Sequence, residues 1–186
     1  SGEGLPTSKK LKEQILVPYP WESKLSGIRR QLETQRAWYR RTFAVPQDWA
    51  GQNIQLNFGA VDHESVVYIN GKFAGSHKGG YDPFTFNITP YLKPGSLQEI
   101  TVMVYDPGNE EGIAVGKQAN DRFSAPGRYA YTPASGIWQT VWIEPVSAVH
   151  ADDLHIVTDN DLQQVSVTLF PPSQRINGEV VVKVLD

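Results

Sequence analysis

The sequence contains no cysteine and only one methionine among its 186 residues. Without thiols the chain can form neither a disulfide framework nor a thiolate zinc site, so a packed core must stabilise it. It also lacks any apolar run approaching the ~20 residues that a transmembrane helix requires. No membrane partner is therefore expected.

An excess of charge of either sign is missing as well. Seventeen basic and twenty acidic side chains give a net charge of −3, and no basic run interrupts the sequence. Nucleic-acid binding depends on a concentrated positive charge, so no nucleic-acid partner is expected. Apolar residues at the spacing of an amphipathic helix are also scarce, which argues against a helical protein.

Short β-prone runs separated by Gly, Pro, Asn and Asp make up most of the sequence. Asn70-Gly71 lies between two such runs and predicts a tight hairpin, because a type I′ turn requires positive φ at both central residues. The pattern predicts an all-β antiparallel sandwich or jelly roll. The predicted strands are 38–45, 54–61, 66–69, 72–74, 84–88, 100–105, 137–143, 154–157, 165–170 and 180–185.

The segment 106–133 interrupts this rhythm with a long polar, glycine-rich stretch. Connections of this length are uncommon in compact domains unless they are functional or disordered. Its aromatic content is too high for simple disorder, so we predict an ordered loop that lines a site.

The tryptophans at 138 and 142 raise the question of an aromatic sugar-binding surface. Strand alternation places Trp138 and Trp142 on one face with Thr140 between them. Packing in the core or at an interface is the favoured interpretation, and an exposed sugar platform is the alternative.

Residues for metal binding or catalysis do not form a recognisable pattern. The four histidines lack ligand spacing, and Asp159-Asn160-Asp161 lacks the glycine and glutamate of a calcium loop. No metal or other cofactor is predicted; a structural calcium ion in another loop geometry is the alternative, though the sequence does not indicate one. The carboxylate pairs Asp62/Glu64 and Glu110/Glu111 do not predict the opposed geometry of a glycosidase, so no catalytic residue is assigned.

Several motifs nevertheless resemble those of a known family. They are Tyr39-Arg40-Arg41, Val61-Asp62, Asn70-Gly71 with Gly75, Gly79-Gly80-Tyr81 with Pro83-Phe84, and Ser135-Gly136-Ile137-Trp138. In this order they resemble the N-terminal sugar-binding domain of glycoside hydrolase family 2. That family contains β-galactosidases, β-glucuronidases and β-mannosidases.

The resemblance implies three parts of the chain. Residues 1–16 would be an N-terminal extension, and 17–149 a jelly-roll β-sandwich of the galactose-binding-like type. Residues 150–186 would be the first strands of a truncated immunoglobulin-like sandwich; packing of these strands on the first domain is the alternative. The catalytic glutamates of the family lie on a (β/α)₈ barrel that this chain lacks, so the chain is expected to be inactive alone. The parent is expected to be a retaining, β-galactosidase-like glycosidase, periplasmic or secreted, whose signal peptide is absent from this chain.

The implied partners are a carbohydrate substrate and the catalytic barrel of the parent, with homo-oligomerisation left open. Some family members carry a sugar-binding carboxylate seven residues before the isoleucine of the Ser-Gly-Ile motif, where this chain has Ala130. An independent carbohydrate-binding module and a structural scaffold domain are the alternative functions. The candidate carbohydrate-binding residues are Glu22, Asp106, Gln118, Asp121, Arg128, Tyr129 and Tyr131.

Overall fold

The computed structural model describes residues 5–6, 11, 13–108, 112–119, 129–171, 179 and 181–183. The chain divides into two compact units, Ser1–Pro145 and Val146–Asp186. The described residues form eleven strands and three single-turn 3-10 helices, which confirms the all-β prediction. The predicted domain limits at 17 and 150 stay predictions.

The strands are short, as expected for runs bounded by turn residues. The 3-10 helices span Lys24–Ser26, Gln47–Trp49 and Thr89–Tyr91. The strands are β1 (Arg36–Phe43), β2 (Asn53–Phe58), β3 (Val61–Asp62), β4 (Glu64–Ile69), β5 (Lys72–Lys78), β6 (Phe84–Asn87), β7 (Gln98–Tyr105), β8 (Gly136–Ile137), β9 (Val141–Val146), β10 (Asp153–Thr158) and β11 (Val165–Phe170).

The first unit is built from two main sheets and a small third one. The four-stranded sheet has the order β1-β7-β4-β5, and the three-stranded sheet has the order β6-β2-β9. Strands β3 and β8 form a separate two-stranded sheet. Alternate side chains of the main sheets are buried in one common cluster, as in a sandwich. The buried residues that the strands of the two main sheets contribute to this cluster are Ile54, Leu56, Phe58, Val67, Ile69, Val102 and Val104.

The hairpin predicted at Asn70-Gly71 is confirmed. Strands β4 and β5 pair antiparallel, and the turn residues have φ of 52° at Asn70 and 81° at Gly71. The Asn70 side chain also holds the neighbouring loop. Its Nδ2 donates to the carbonyl oxygen of Tyr91 at 2.9 Å and to Oε1 of Gln98 at 2.7 Å, while its Oδ1 accepts from the amide of Glu99 at 3.0 Å.

Two predicted strands were wrong in extent, since each is divided between sheets. The predicted strand 54–61 consists of β2 and β3, and 137–143 consists of β8 and β9. Strands β3 and β8 pair with each other, whereas β2 and β9 belong to the three-stranded sheet. The chain changes sheet between β2 and β3 and again between β8 and β9. A hydrogen bond joins these two places, since the amide of Gly59 donates to the carbonyl oxygen of Thr140 at 2.9 Å. Local sequence carries no signal for such a paired change of sheet.

This division also separates the two tryptophans. Trp138 lies between β8 and β9, and its indole Nε1 donates to the carbonyl oxygen of Gly80 at 2.9 Å. Trp142 lies in β9 and is 42% exposed, so of the two predicted positions, core or interface, it does not take the core one. The predicted role of Trp142 at an interface stays a prediction.

The second unit contains the antiparallel pair β10–β11. Its turn is organised by Asp159, whose Oδ1 accepts from the amides of Gln163 at 2.7 Å and Gln164 at 3.0 Å. Of the predicted strand 180–185, residues 180, 184 and 185 lie outside the described residues, and 181–183 are not in a strand.

Replacing Asn70 by glycine separates the two roles of this residue. Glycine adopts positive φ without strain, so the turn is kept while three side-chain hydrogen bonds are lost. We expect Asn70→Gly to lower the free energy of unfolding by about 2 kcal/mol, measured by urea denaturation. Unchanged stability would show that the side-chain bonds to Tyr91, Gln98 and Glu99 contribute nothing.

Candidate functional site

A cavity of about 280 Å³ lies in the first unit. Four segments form it: the one that precedes the first 3-10 helix, the one between that helix and β1, the one that follows β7, and Ser135 just before β8. Two predicted site residues, Glu22 and Asp106, are thereby brought together. The cavity is lined by Trp21, Glu22, Gln31, Leu32, Glu33, Gln35, Asp106, Gly108 and Ser135.

Glu22 is buried and bound through both carboxylate oxygens. Its Oε1 accepts from the Ser135 hydroxyl at 2.7 Å and its Oε2 from the Ser135 amide at 3.0 Å. Burial raises the pKa of Glu22, and the bonds from Ser135 act in the opposite direction. The amide of Trp21 donates to the carbonyl oxygen of Ser135 at 3.3 Å. Together these bonds tie the segment before the first 3-10 helix to the start of β8.

Asp106 follows β7 and shapes the opposite wall. It is 6% exposed, and its Oδ1 accepts from the amide of Gly108 at 2.7 Å in a local turn. Its own amide donates to the carbonyl oxygen of Gln35 at 2.9 Å, and Gln35 Nε2 donates to the carbonyl oxygen of Pro107 at 3.0 Å. These contacts fix the chain as it leaves the four-stranded sheet.

A third buried carboxylate, Asp62, was not among the predicted site residues. It ends β3, pairs in register with Gly136 and is 9% exposed. Burial, and then the negative charge of Asp106, raise its pKa to about 7. In the sequence, the Val61-Asp62 motif is the signal that points to this residue. The pairing of Asp62 with Glu64 does not reveal it. Glu64 instead begins β4 and pairs with Lys78 at 2.6 Å.

Gln118 and Tyr131 lie side by side in the long segment. They form a parallel β-bridge in which the amide of Tyr131 donates to the carbonyl oxygen of Lys117 at 2.8 Å. The Gln118 side-chain oxygen accepts from the amide of Ala134, and Gln118 acts to lower the pKa of Asp62. Tyr129 and Tyr131 are 77% and 63% exposed. Asp121 and Arg128 lie outside the described residues, so their roles stay predictions.

Two of the sequence motifs meet at Gly136, which explains why a glycine is needed there. Its φ is 89°, and an added Cβ would lie 2.2 Å from the Tyr39 hydroxyl oxygen. The amide of Ile137 donates to that oxygen at 3.4 Å, and burial raises the pKa of Tyr39. Tyr39 thus fixes β8 next to the cavity.

Within the part of the chain that the structure describes, no three His, Asp or Glu side chains are grouped to hold a metal ion. In that same part, no helix has the length and apolar character to cross a membrane.

Removing the hydroxyl of Ser135 tests the contribution of its bond to Glu22. Ser135→Ala leaves one buried carboxylate oxygen without its donor, and we expect the free energy of unfolding to fall by about 2 kcal/mol. Ser147→Ala, at an exposed position, is the control and is expected to change stability by less than about 0.5 kcal/mol. Equal effects of the two substitutions in urea denaturation would contradict this role of Ser135.

Comparison with known proteins agrees with the motifs. A β-galactosidase of Thermoanaerobacter pseudethanolicus is 29% identical over 154 residues, covering 81% of this chain and 20% of that protein. A β-glucuronidase of Paenibacillus borealis is 31% identical over 157 residues, covering 80% of this chain and 26% of that protein. The chain therefore spans about a fifth to a quarter of the length of these relatives.

A solved structure shows the same similarity in three dimensions. Bacteroides uniformis β-glucuronidase 2, covalently bound to cyclophellitol-6-carboxylate aziridine, is 26% identical with a TM-score of 0.61. The match covers 84% of this chain and 19% of that chain. The family model described as "Glycosyl hydrolases family 2, sugar binding domain" matches residues 12–143. The chain therefore belongs to glycoside hydrolase family 2, and residues 12–143 are its sugar-binding domain.

Proposed function

We propose that the cavity beside Glu22 and Asp106 binds one sugar unit of a carbohydrate without catalysing its hydrolysis. In this proposal the domain belongs to a longer retaining glycosidase, and the catalytic carboxylates lie on a barrel outside this chain. The domain contributes to the rim of that active site by positioning the substrate and excluding water.

The convergence of Glu22, Asp106 and Trp21 on one cavity is the observation that carries the proposal. Carboxylate oxygens accept hydrogen bonds from sugar hydroxyls. At about 280 Å³ the cavity is near the ~300 Å³ lower limit of small-molecule sites. That size suits a single sugar unit.

The exposed rings of Tyr129 and Tyr131 supply a second set of contacts. Each phenol combines a flat apolar ring with a hydroxyl, and both side chains are more than half exposed. The segment that bears them continues through Ala134 to Ser135 at the cavity wall. We therefore propose that these tyrosines either contact the rest of the carbohydrate or form the rim that faces the barrel.

The electrostatics of the cavity support a neutral sugar. The cavity is lined by three carboxylates, Glu22, Glu33 and Asp106. The charges of Asp106 and Glu22 also raise the pKa of Asp62. A uronic acid would bring another carboxylate into this acidic surrounding, and juxtaposed like charges disfavour binding. A β-galactoside-like substrate is accordingly favoured over a β-glucuronide.

A scaffold function is the second candidate, favoured by Trp142. This side chain is 42% exposed on β9, and its indole Nε1 donates to Glu144 Oε1 at 3.3 Å. Exposed aromatic residues are enriched at protein interfaces. In this alternative, Trp142 packs on another part of the parent, and Trp142→Ala would weaken the parent's stability without altering sugar affinity.

Binding of methyl β-galactoside to this chain, measured by titration calorimetry, tests the proposed function. We expect Tyr131→Ala to weaken the affinity about fivefold through the loss of ring contact. Phe73→Ala is the matched control, since Phe73 is an aromatic residue that is 56% exposed on β5.

Methyl β-glucuronide is expected to bind about tenfold more weakly than the galactoside, because of charge repulsion. Equal loss in Tyr131→Ala and Phe73→Ala, or tighter binding of the glucuronide, would contradict the proposed site.

A further inference from the structure

Tyr81 lies between the sandwich and the long segment that carries the exposed tyrosines. We propose that Tyr81 is a positioning residue for Tyr131, acting through the turn at Gly116, and that it affects carbohydrate affinity only in this way. The inference deepens the proposed function, because its consequence for affinity rests on the contact between Tyr131 and the sugar. Tyr81 and Trp138 belong to two of the sequence motifs, and neither of them lines the cavity.

The backbone that leads into Tyr81 is fixed by the sandwich. The amide of Gly79 donates to the carbonyl oxygen of His63 at 3.0 Å, between β3 and β4. The carbonyl oxygen of Gly80 accepts from Trp138 Nε1 at 2.9 Å, between β8 and β9. Gly80 itself is buried. Tyr81 therefore follows a stretch of chain that is bonded at two separate places.

The Tyr81 side chain is supported by the same tryptophan. The ring centroids of Tyr81 and Trp138 are 6.2 Å apart and the ring planes are inclined at 76°. This edge-to-face arrangement is one of the attractive geometries of aromatic pairs. Tyr81 is 50% exposed, so its ring is held against Trp138 on one side and faces outward on the other.

The hydroxyl end of Tyr81 reaches the long segment at Gly116. An added Cβ at Gly116 would lie 3.6 Å from the Tyr81 hydroxyl oxygen, which is an ordinary van der Waals distance. Gly116 has a φ of 61°, in the left-handed region that favours glycine. The turn at Gly116 therefore lies directly against the end of the Tyr81 side chain.

The same turn carries the hydrogen bonds that set the position of Tyr131. The turn spans residues 115–118 and is closed by the amide of Gln118, which donates to the carbonyl oxygen of Val115 at 3.2 Å. The amide of Tyr131 donates to the carbonyl oxygen of Lys117 at 2.8 Å. The carbonyl oxygen of Tyr131 accepts from the amide of Ala119 at 3.1 Å. Tyr131 is thus bonded on both sides to residues that directly follow the contact with Tyr81.

The consequence for affinity follows from this series of contacts. A ring that is held in place before binding loses less conformational freedom when the sugar binds. Removal of Tyr81 takes away the support of the turn, so Tyr131 must be ordered at the cost of binding energy. Because Tyr81 acts through Tyr131, the effects of removing the two side chains are not additive.

Hydrogen exchange of the whole chain tests the positioning role without any ligand. Tyr81→Ala should lower the protection of the Ala119 and Tyr131 amides about fivefold, because one edge-to-face aromatic contact is lost. Tyr81→Phe keeps the ring on Trp138 and should retain this protection to within about twofold. The amides of β7 in the core are the internal reference and should keep their protection in both variants.

Phe73→Ala is the matched control for the loss of an exposed aromatic ring. Phe73 is 56% exposed, and its ring makes an edge contact with Tyr68, with centroids 6.0 Å apart. This contact lies within the β4–β5 hairpin, so its loss should leave the Ala119 and Tyr131 amides unchanged. Equal loss of protection in Phe73→Ala and Tyr81→Ala, or no loss in Tyr81→Ala, would overturn the inference.

Affinity for methyl β-galactoside, measured by titration calorimetry, separates positioning from direct contact. Tyr81→Ala should weaken binding by about threefold, and by no more than Tyr131→Ala does. The double variant should bind as Tyr131→Ala alone, to within about 1.5-fold, because Tyr81 has nothing left to position. If the two losses multiply in the double variant, Tyr81 acts independently of Tyr131 and the inference is wrong.

The two measurements together distinguish this inference from the proposed function. Loss of protection in Tyr81→Ala, without sugar binding by the original chain, supports the positioning of Tyr131 and contradicts the carbohydrate site. Sugar binding by the original chain, with unchanged protection in Tyr81→Ala, contradicts the positioning role alone.

Discussion

The paired hydrogen bonds between Glu22 and Ser135 are the contact on which this end of the sandwich depends. Glu22 precedes the first strand, and Ser135 follows the long segment, so the bonds join distant parts of the chain. They place Trp21 and Glu22 opposite the turn at Asp106 and thereby form the cavity. A carboxylate buried in this way needs its hydrogen-bond donors, because burying a charge without them is strongly unfavourable in free energy.

The same contact concentrates acidic groups at one place. Glu22, Asp62 and Asp106 come from three separate segments; the charge of Asp106 raises the pKa of both Glu22 and Asp62, and the charge of Glu22 raises that of Asp62. Hydrogen bonds from Ser135 and Gly108 satisfy Glu22 and Asp106 individually. Glu22 and Asp106, together with Glu33, give the cavity its acidic character.

Features encoded locally could be predicted from the sequence, whereas features that depend on distant pairing could not. Asn70-Gly71 specified its turn because the required φ values favour those residue types. The division of β2 from β3, and of β8 from β9, depends on which sheet each part joins, so it left no local pattern. The burial of Asp62 near Asp106 left no local pattern for the same reason, since the two residues are remote in sequence. Glu22 was identified through family resemblance and Asp106 within the long polar segment, and neither signal indicated that they share a cavity.

An NMR titration of the chain with methyl β-galactoside tests the central claim most directly. If the cavity is the carbohydrate site, the largest amide shift changes will cluster at Trp21–Glu22, Asp106–Gly108 and Ser135. The β4–β5 turn at Asn70-Gly71 should show none. Shift changes centred on Trp142, or no change at saturating sugar, would contradict the account.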